Sequence, residues 1–430
     1  MDEIKLAREV LAKNPSPDQF ETLLLSLGGQ VALTARDEHA RNSIIHTKNF
    51  WTQVVSCLDE LILSDEPYSS YYYRTLRGIL LLVRNLALLA DFLAVTGGAD
   101  TVRKAIVDSL GRVRPLEIPQ NVPIIDAYLQ TISNIFLAQV RGIKGSVNTN
   151  DSQGNQSDIE KAAHADQRSH FRLEIRQLMK ELEEIVPFLQ HNEEFSLLML
   201  LQGAILLNKE ITTGEILSNQ NLTSYLIEQF HNVDTDKALS PHHQTLLKIL
   251  EDLIIHEGFN TYLHSIYDEI KEDGDNGHEL ITKVLQTGQL VVTSKENWSD
   301  KELVALLSWI FDFFALFSAK AELILPSKHH IDLDELNFVH TNLMAVLDCL
   351  SELGKYETTR QFLDNYGATD KLVLLLRSVH ENIPRKTLKT KKIEDLEQRA
   401  NQKRFPQAKS LVIEILSYLA HGNKKIQNRV

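Results

Sequence analysis

The chain has little of what makes a small fold rigid or a catalytic site easy to build. Only two of its 430 residues are cysteine, Cys57 and Cys349, far apart in sequence. That count excludes a disulfide framework and points to a reducing compartment. Methionine occurs four times, so soft ligands are too few for a copper-transfer path. Glycine (18) and proline (11) are both scarce, as long helices joined by short turns require. No phosphate-cradling glycine loop followed by Lys and Ser or Thr occurs, and no Gly-x-Ser-x-Gly elbow. Met1 to Pro15 carries Asp2, Glu3, Lys5, Arg8, Glu9 and Lys13 with no apolar run, so no secretory signal is read there. The longest apolar stretch, Ile79 to Val95, is broken by Arg84, Asn85 and Asp91, and no membrane span is expected. The expected location is cytoplasmic.

Metal motifs are incomplete. His256-Glu257 and His380-Glu381 begin a zinc-protease pattern, but Asn260 and Pro384 stand where the second His belongs. Asp273 to Gly277 hints at a calcium loop. His278 then takes the glycine position and Val284 that of the bidentate Glu. His242-His243 and His329-His330 are sequence neighbours, which point in different directions on a helix. No catalytic residue, no metal site and no cofactor is expected, and the chain is read as not an enzyme.

What is present is helical periodicity. In Asn342 to Ser378, Leu343, Val346, Leu347, Leu350 and Leu353 line one face of a first helix. Gly354 and Lys355 break it, and Phe362 and Leu363 mark a short second helix. Gly367 and Ala368 make a tight turn before the stripe Leu372, Val373, Leu375 and Leu376. Helix, short helix, turn, helix is one unit of an armadillo-like solenoid, a unit that must stack on neighbours to bury its apolar face. The pattern recurs. Val346, Leu347, Asp348, Leu350, Ser351 and Leu353 match Val412, Ile413, Glu414, Leu416, Ser417 and Leu419 at a constant offset of 66 residues. Such units run roughly 40–47 residues, so the polar stretch between the copies reads as an insertion. A weaker copy lies at Leu80 to Ala87. The fold class expected is all-α, an armadillo-like α-solenoid, a superhelical stack of helical repeats.

The C-terminal end carries a more specific pattern. Phe405-Pro406, then Lys409, Leu411 or Val412, Leu416 and Leu419 on a helix, then Asn423, Lys424, Gln427 and Val430, resemble the start of the ataxin-10 domain. Leu76 to Gly78 and Arg84 to Leu86 resemble that family's first repeats. The family pattern runs on past Val430, so the chain is expected to be truncated inside that domain. The resemblance implies a role in cell division, particularly cytokinesis, and self-association into a homo-oligomer.

Charge and composition divide the chain. The expected segments are 1–142 and 167–384 as armadillo-like repeats, 143–166 as a disordered loop rich in Asn, Ser, Gly and Gln, 385–407 as a basic inserted loop, and 408–430 as the start of the ataxin-10 domain. Lys271 to His278 reads as a short acidic turn. From Pro384 to Val430 the net charge is +8, against −21 for the remainder. Arg385, Lys386, Lys389, Lys391 and Lys392 form the densest basic run and, with Arg84 and Asn85, are the candidate partner-binding residues. No aromatic interleaves with the run before Phe405, and the acidic bulk argues against a nucleic-acid partner. Phe195 to Leu207 and Leu303 to Phe317 are apolar nearly all round and should be interior helices. The expected function is a scaffold that binds other proteins. An alternative is an adaptor or regulatory subunit linked to copper homeostasis without direct metal transport. Because the chain stops inside a unit, the stripe Leu411, Val412, Ile415, Leu416 and Leu419 is expected to leave an exposed apolar patch.

Overall fold

The computed structural model describes residues 16–63, 70–89, 91–96, 100–112, 118–147, 158–232, 240–273, 275–326, 333–382, 405 and 407–429, together with Ile4. Helices and turns account for these residues, with no strand among them. Two compact units divide the chain: Met1–Tyr225 with Asp234–Ile249, and Leu226–Val233 with Leu250–Val430.

The first unit contains α1 (Pro17–Arg36), α2 (Glu38–Ile45), α3 (Phe50–Leu63), α4 (Ser70–Leu86), α5 (Phe92–Thr96), α6 (Asp100–Leu110), α7 (Ile118–Val147), α8 (Asp158–Ile185), α9 (His191–Leu207) and α10 (Lys209–Leu217). Helices α11 (Gln220–His231) and α12 (Pro241–Ile254) fall across the division. The second unit contains α13 (Phe259–Asp273), α14 (Asp275–Ser294), α15 (Asp300–Ile324), α16 (Leu333–Leu353), α17 (Glu357–Asn365), α18 (Ala368–Asn382), α19 (Ala408–Ala420) and α20 (Lys424–Gln427).

A long, a short and a medium helix recur as a triplet. It appears as α1–α2–α3, α4–α5–α6, α9–α10–α11 and α16–α17–α18, and α19–α20 begin another. The sharp bend into the short helix has a local cause. Asp37, Asn208 and Asn423 each stand just before it and accept from its first free backbone N–H groups, at 2.8 Å from His39, 3.1 Å from Ile211 and 3.2 Å from Lys425. At α17 the bend is tied instead by Arg360, which donates to the carbonyls of Gly354 (3.3 Å) and Lys355 (2.9 Å). Gly367, at φ +70°, makes the next turn, where a side chain would be strained.

Triplets stack into rows. In the first unit α1, α4, α7 and α9 pack successively, and α3, α6 and α8 form a second row. In the second unit the rows are α14–α16–α19 and α13–α15–α18. This is the α-solenoid arrangement, in which each element touches chiefly its neighbours. Side-chain hydrogen bonds from α1 to α4 and from α4 to α7 span 46 to 54 residues, which gives the length of a unit directly.

The duplicated motif occupies equivalent places in one row. Val346, Leu350 and Leu353 of α16 and Val412, Leu416 and Leu419 of α19 are all buried. Burial is lost at two pairs: Leu347 and Ser351 are buried, whereas their counterparts Ile413, at 55%, and Ser417 are exposed. Gly354 lets the two helices close up, since a Cβ there would stand 2.7 Å from the Tyr418 ring. The exposed C-terminal stripe expected from the sequence is not found. α19 sits in a corner between α16 and α18, α20 folds back on it, and Val412, Ile415, Leu416 and Leu419 are buried from two sides.

Two other expectations change. Helix occupies 143–147 and 158–166, so the expected loop over 143–166 is narrower at both ends, and 148–157 lie outside the described residues. Ala, Glu, Lys and Gln in the 159–167 stretch are good helix formers, which outweighs its polarity. The acidic turn at Lys271–His278 is almost entirely helix, with α13 reaching Asp273 and α14 starting at Asp275.

Helix α15 is the core of the second unit. By length and composition it could cross a membrane, the one such helix among the described residues, yet 56% of its most apolar window is buried inside the protein. It packs against α13, α16, α17 and α18, and Trp309, Phe313, Phe314 and Phe317 are buried as the sequence leads one to expect of an all-round apolar helix. α9 is interior along most of its length, with Phe195 and Leu206 exposed.

The start of α15 is fixed by charge. Ser299 and Glu302 cap each other: the Ser299 N–H donates to Glu302 Oε2 at 2.9 Å and its hydroxyl at 2.7 Å. Lys295 bridges Glu302 (2.9 Å) and Glu251 (3.0 Å) and lies over the Trp298 ring at 4.2 Å. Burial alone would raise the Glu302 carboxyl, but the Ser299 backbone, Lys295 and the Ser299 hydroxyl outweigh it and bring it to about 2. Lys295, penalised by burial, is raised overall by the two carboxylates.

Two outcomes are expected. Leu350→Ala and Leu416→Ala should each cost about 2–5 kcal/mol of unfolding free energy in urea titrations, while Ile413→Ala, at a mostly exposed position, should change it by less than about 0.5 kcal/mol. The Glu302 carboxyl in the folded chain lies below its ordinary 4.5. The stability it contributes is therefore complete above that pH and is lost as pH falls toward 2. Glu302→Gln should flatten that part of a Tm-against-pH curve.

Candidate interaction groove

Within the first unit, the row α1–α4–α7–α9 carries a chain of polar side chains from helix to helix. It begins at Asn85, an amide in the apolar run Leu80 to Ala87 that is 3% exposed. Asn85 Nδ2 donates to the Val31 carbonyl and to Thr34 Oγ1 on α1, both at 3.1 Å. Its Oδ1 accepts from Arg84 Nε at 3.3 Å and Nη2 at 3.0 Å. Arg84 Nη1 donates to Gln130 Oε1 on α7. Gln130 Nε2 in turn donates to both oxygens of Asp126, at 2.9 and 2.8 Å, and Ser196 on α9 donates to the same carboxylate at 2.7 Å. Asn134 Nδ2 returns to the Arg84 carbonyl at 3.1 Å.

This relay fixes one arginine. Burial pulls the Arg84 guanidinium below its ordinary value; Asp126 works against that shift and Arg77 with it. The guanidinium borders a groove of about 440 Å³. Ala35 of α1, Leu88 just beyond α4, Leu137 of α7 and Phe195 and Met199 of α9 form its apolar wall, with Gln130, Ser133 and Asn134 as polar floor. Leu88 is 46% and Phe195 39% exposed. Phe195 stacks against His242 at 6.1 Å.

The two candidate residues in this row therefore have different parts. Arg84 faces the groove. Asn85 is buried and fully engaged, so it positions Arg84 and has no surface to offer a partner. The remaining candidates, Arg385, Lys386, Lys389, Lys391 and Lys392, lie outside the described residues. Gln130, Asn134 and Phe195 were not singled out by sequence. They share no local motif and meet only because α4, α7 and α9 stack.

The second unit has a counterpart. Asn342 of α16, fully buried, donates to Thr282 Oγ1 of α14 at 3.1 Å. Beside it a cavity of about 580 Å³ is lined by His231, His278, Lys283, Asp334 and Phe338 among others. The His278 ring stacks on Phe338 at 4.0 Å, and His231 bonds to the Lys283 carbonyl and Thr287 hydroxyl, both at 2.9 Å. Burial lowers the His231 pKa, against the Lys283 carbonyl, which raises it. Among the described residues no three His, Cys, Asp or Glu side chains are placed to hold a metal ion. Cys57 and Cys349 are both buried, and burial raises the Cys349 thiol far above its usual range.

No family model matches the chain. Three curated yeast proteins, each named an ataxin-10 homolog, align along nearly all of it. The Debaryomyces hansenii protein is 29% identical over 436 residues, covering 99% of this chain and 80% of its own. The Saccharomyces cerevisiae protein is 25% identical over 476 residues, covering 96% and 78%. The Kluyveromyces lactis protein is 22% identical over 462 residues, covering 96% and 79%. Of solved structures, a circular tandem repeat protein covers 100% of this chain at 11% identity, with a TM-score of 0.30, too remote a likeness to bear on the fold. The alignments with the yeast homologs run through the first repeats and the terminal helices alike, and the chain is similar to ataxin-10 homologs over nearly its whole length.

Proposed function

We propose that the chain is a non-enzymatic, cytoplasmic scaffold that binds other proteins, and that it serves in cell division, at cytokinesis. The observation that carries the scaffold reading is the groove across α1, α4, α7 and α9. Its wall is apolar and partly exposed, its floor is made of fixed amides and one arginine, and no nucleophile–base pair faces it. Such a lining can hold a chain segment by shape and hydrogen bonds but offers nothing that would activate a bond. The cell-division role comes from the family resemblance and is part of the proposal.

The test is cellular. Depleting the protein from its own cells should raise the fraction that fail to separate, and wild-type chain should restore separation. A chain carrying Phe195→Ala together with Leu88→Ala, which cuts back the apolar wall of the groove while leaving the polar relay in place, should restore it poorly at equal abundance. Normal separation after depletion would remove the division role. Full rescue by the groove variant would remove the groove from it.

A further inference from the structure

We propose that the groove in the first unit takes an extended acidic peptide, seating a carboxylate side chain on Arg84 and the adjacent apolar side chain on the wall of Leu88, Phe195 and Met199. The inference rests on the scaffold reading and names the chemistry of the partner.

The charge balance at Arg84 carries it. A guanidinium offers five N–H groups. Three are used here, two of them on Asn85 Oδ1 and one on Gln130 Oε1, and all three acceptor contacts are with neutral amides. Among the described residues no carboxylate forms an ion pair with Arg84. Asp126, whose charge acts on Arg84 without contact, has its oxygens taken by Gln130 and Ser196. A half-buried cation with no carboxylate in direct contact is left with two free N–H groups at the edge of a groove. A carboxylate is the ligand that satisfies both at once, by the bidentate pairing arginine favours. The relay holds the guanidinium in place beforehand, so little side-chain entropy is lost when the ligand arrives.

The shape favours a peptide over a small anion. The groove is lined from four successive helices, and packed helix axes lie about 8–10 Å apart. Its floor therefore runs on the order of 25–30 Å, which matches about eight residues of extended chain at roughly 3.3 Å each. Asn134 Oδ1, with no partner among the described residues, is placed to accept a peptide N–H. Leu88 and Phe195 supply the exposed apolar surface that a small anion would leave wet.

The test uses the full chain. A random dodecapeptide display library is selected on wild-type protein and on Arg84→Gln in parallel. Wild type should enrich peptides with Asp or Glu next to an aliphatic or aromatic residue, and Arg84→Gln should not. One enriched peptide is then made with a fluorophore, beside its Glu→Gln counterpart. Fluorescence anisotropy should show the Glu form binding about tenfold tighter, with the gap narrowing as salt rises. Arg84→Gln should abolish the preference, and Arg84→Lys should keep part of it, which separates loss of charge from loss of fold. Phe195→Ala should weaken both peptides and leave the preference intact. Equal affinity of the Glu and Gln peptides for wild type, or the same enrichment on Arg84→Gln, overturns the inference. Enrichment of neutral or basic peptides that need Phe195 would overturn the acid preference while leaving the scaffold reading standing. No enrichment on wild type would overturn the groove as a peptide site, with the division role still judged by depletion.

Discussion

The structure depends on the inability of any one helix triplet to bury its own apolar face. A triplet of long, short and medium helices exposes one stripe on each side, and only the next triplet can cover it. Area removed from water supplies the energy at about 25 cal/mol per Å², but that term is blind to register. Register comes from polar side chains that reach across a row to a neighbour's backbone. Asn85 donates to the Val31 carbonyl, Thr131 to Leu80, Asn134 to Arg84, Arg141 to Ala87 and Asn219 to Met179. Each is made at one offset of the two helices, and at any other the buried Asn85 amide would lose its partners, at about 1–3 kcal/mol.

The groove follows from the same construction. Where Asn85 is held by Thr34 and Val31, its free oxygen points at Arg84 and gathers the guanidinium toward α7. Gln130 and Asp126 complete the hold from the far side, and Ser196 ties in α9. Side chains that set the register of four helices thus also aim one cation at the space between them. The second unit repeats the buried amide with Asn342, but Asp334 lines the neighbouring cavity and no comparable cation stands there without a carboxylate close by.

Much of the fold was legible because it is written locally. The stripe Leu343 to Leu353, the break at Gly354 and the turn at Gly367 give α16, α17 and α18 directly, and the matching motif places α19 in the same row. The buried all-round apolar helix α15 was legible from Leu303 to Phe317 alone. The C-terminal stripe was misjudged because sequence shows how wide an apolar face is, and not that α16 and α18 cover it from two directions. The stretch 143–166 was read by polarity, and helix propensity near its ends prevailed. The groove left almost no signal. Arg84 and Asn85 stood out as polar residues in a leucine run, but Gln130, Asn134, Ser196 and Phe195 lie roughly one or two repeat lengths away, and no window on the chain contains them together.

The most direct test of this account is native-state hydrogen exchange on wild type and Asn85→Ala. The substitution removes the amide that joins α1 to α4 and steadies Arg84 against α7. If the chain is a row of units coupled through neighbours, amide protection should fall in α1, α4 and α7 and remain at its wild-type level in α14 to α18. A uniform loss of protection through all these helices would mean that the chain unfolds as one globular body, and would contradict the account.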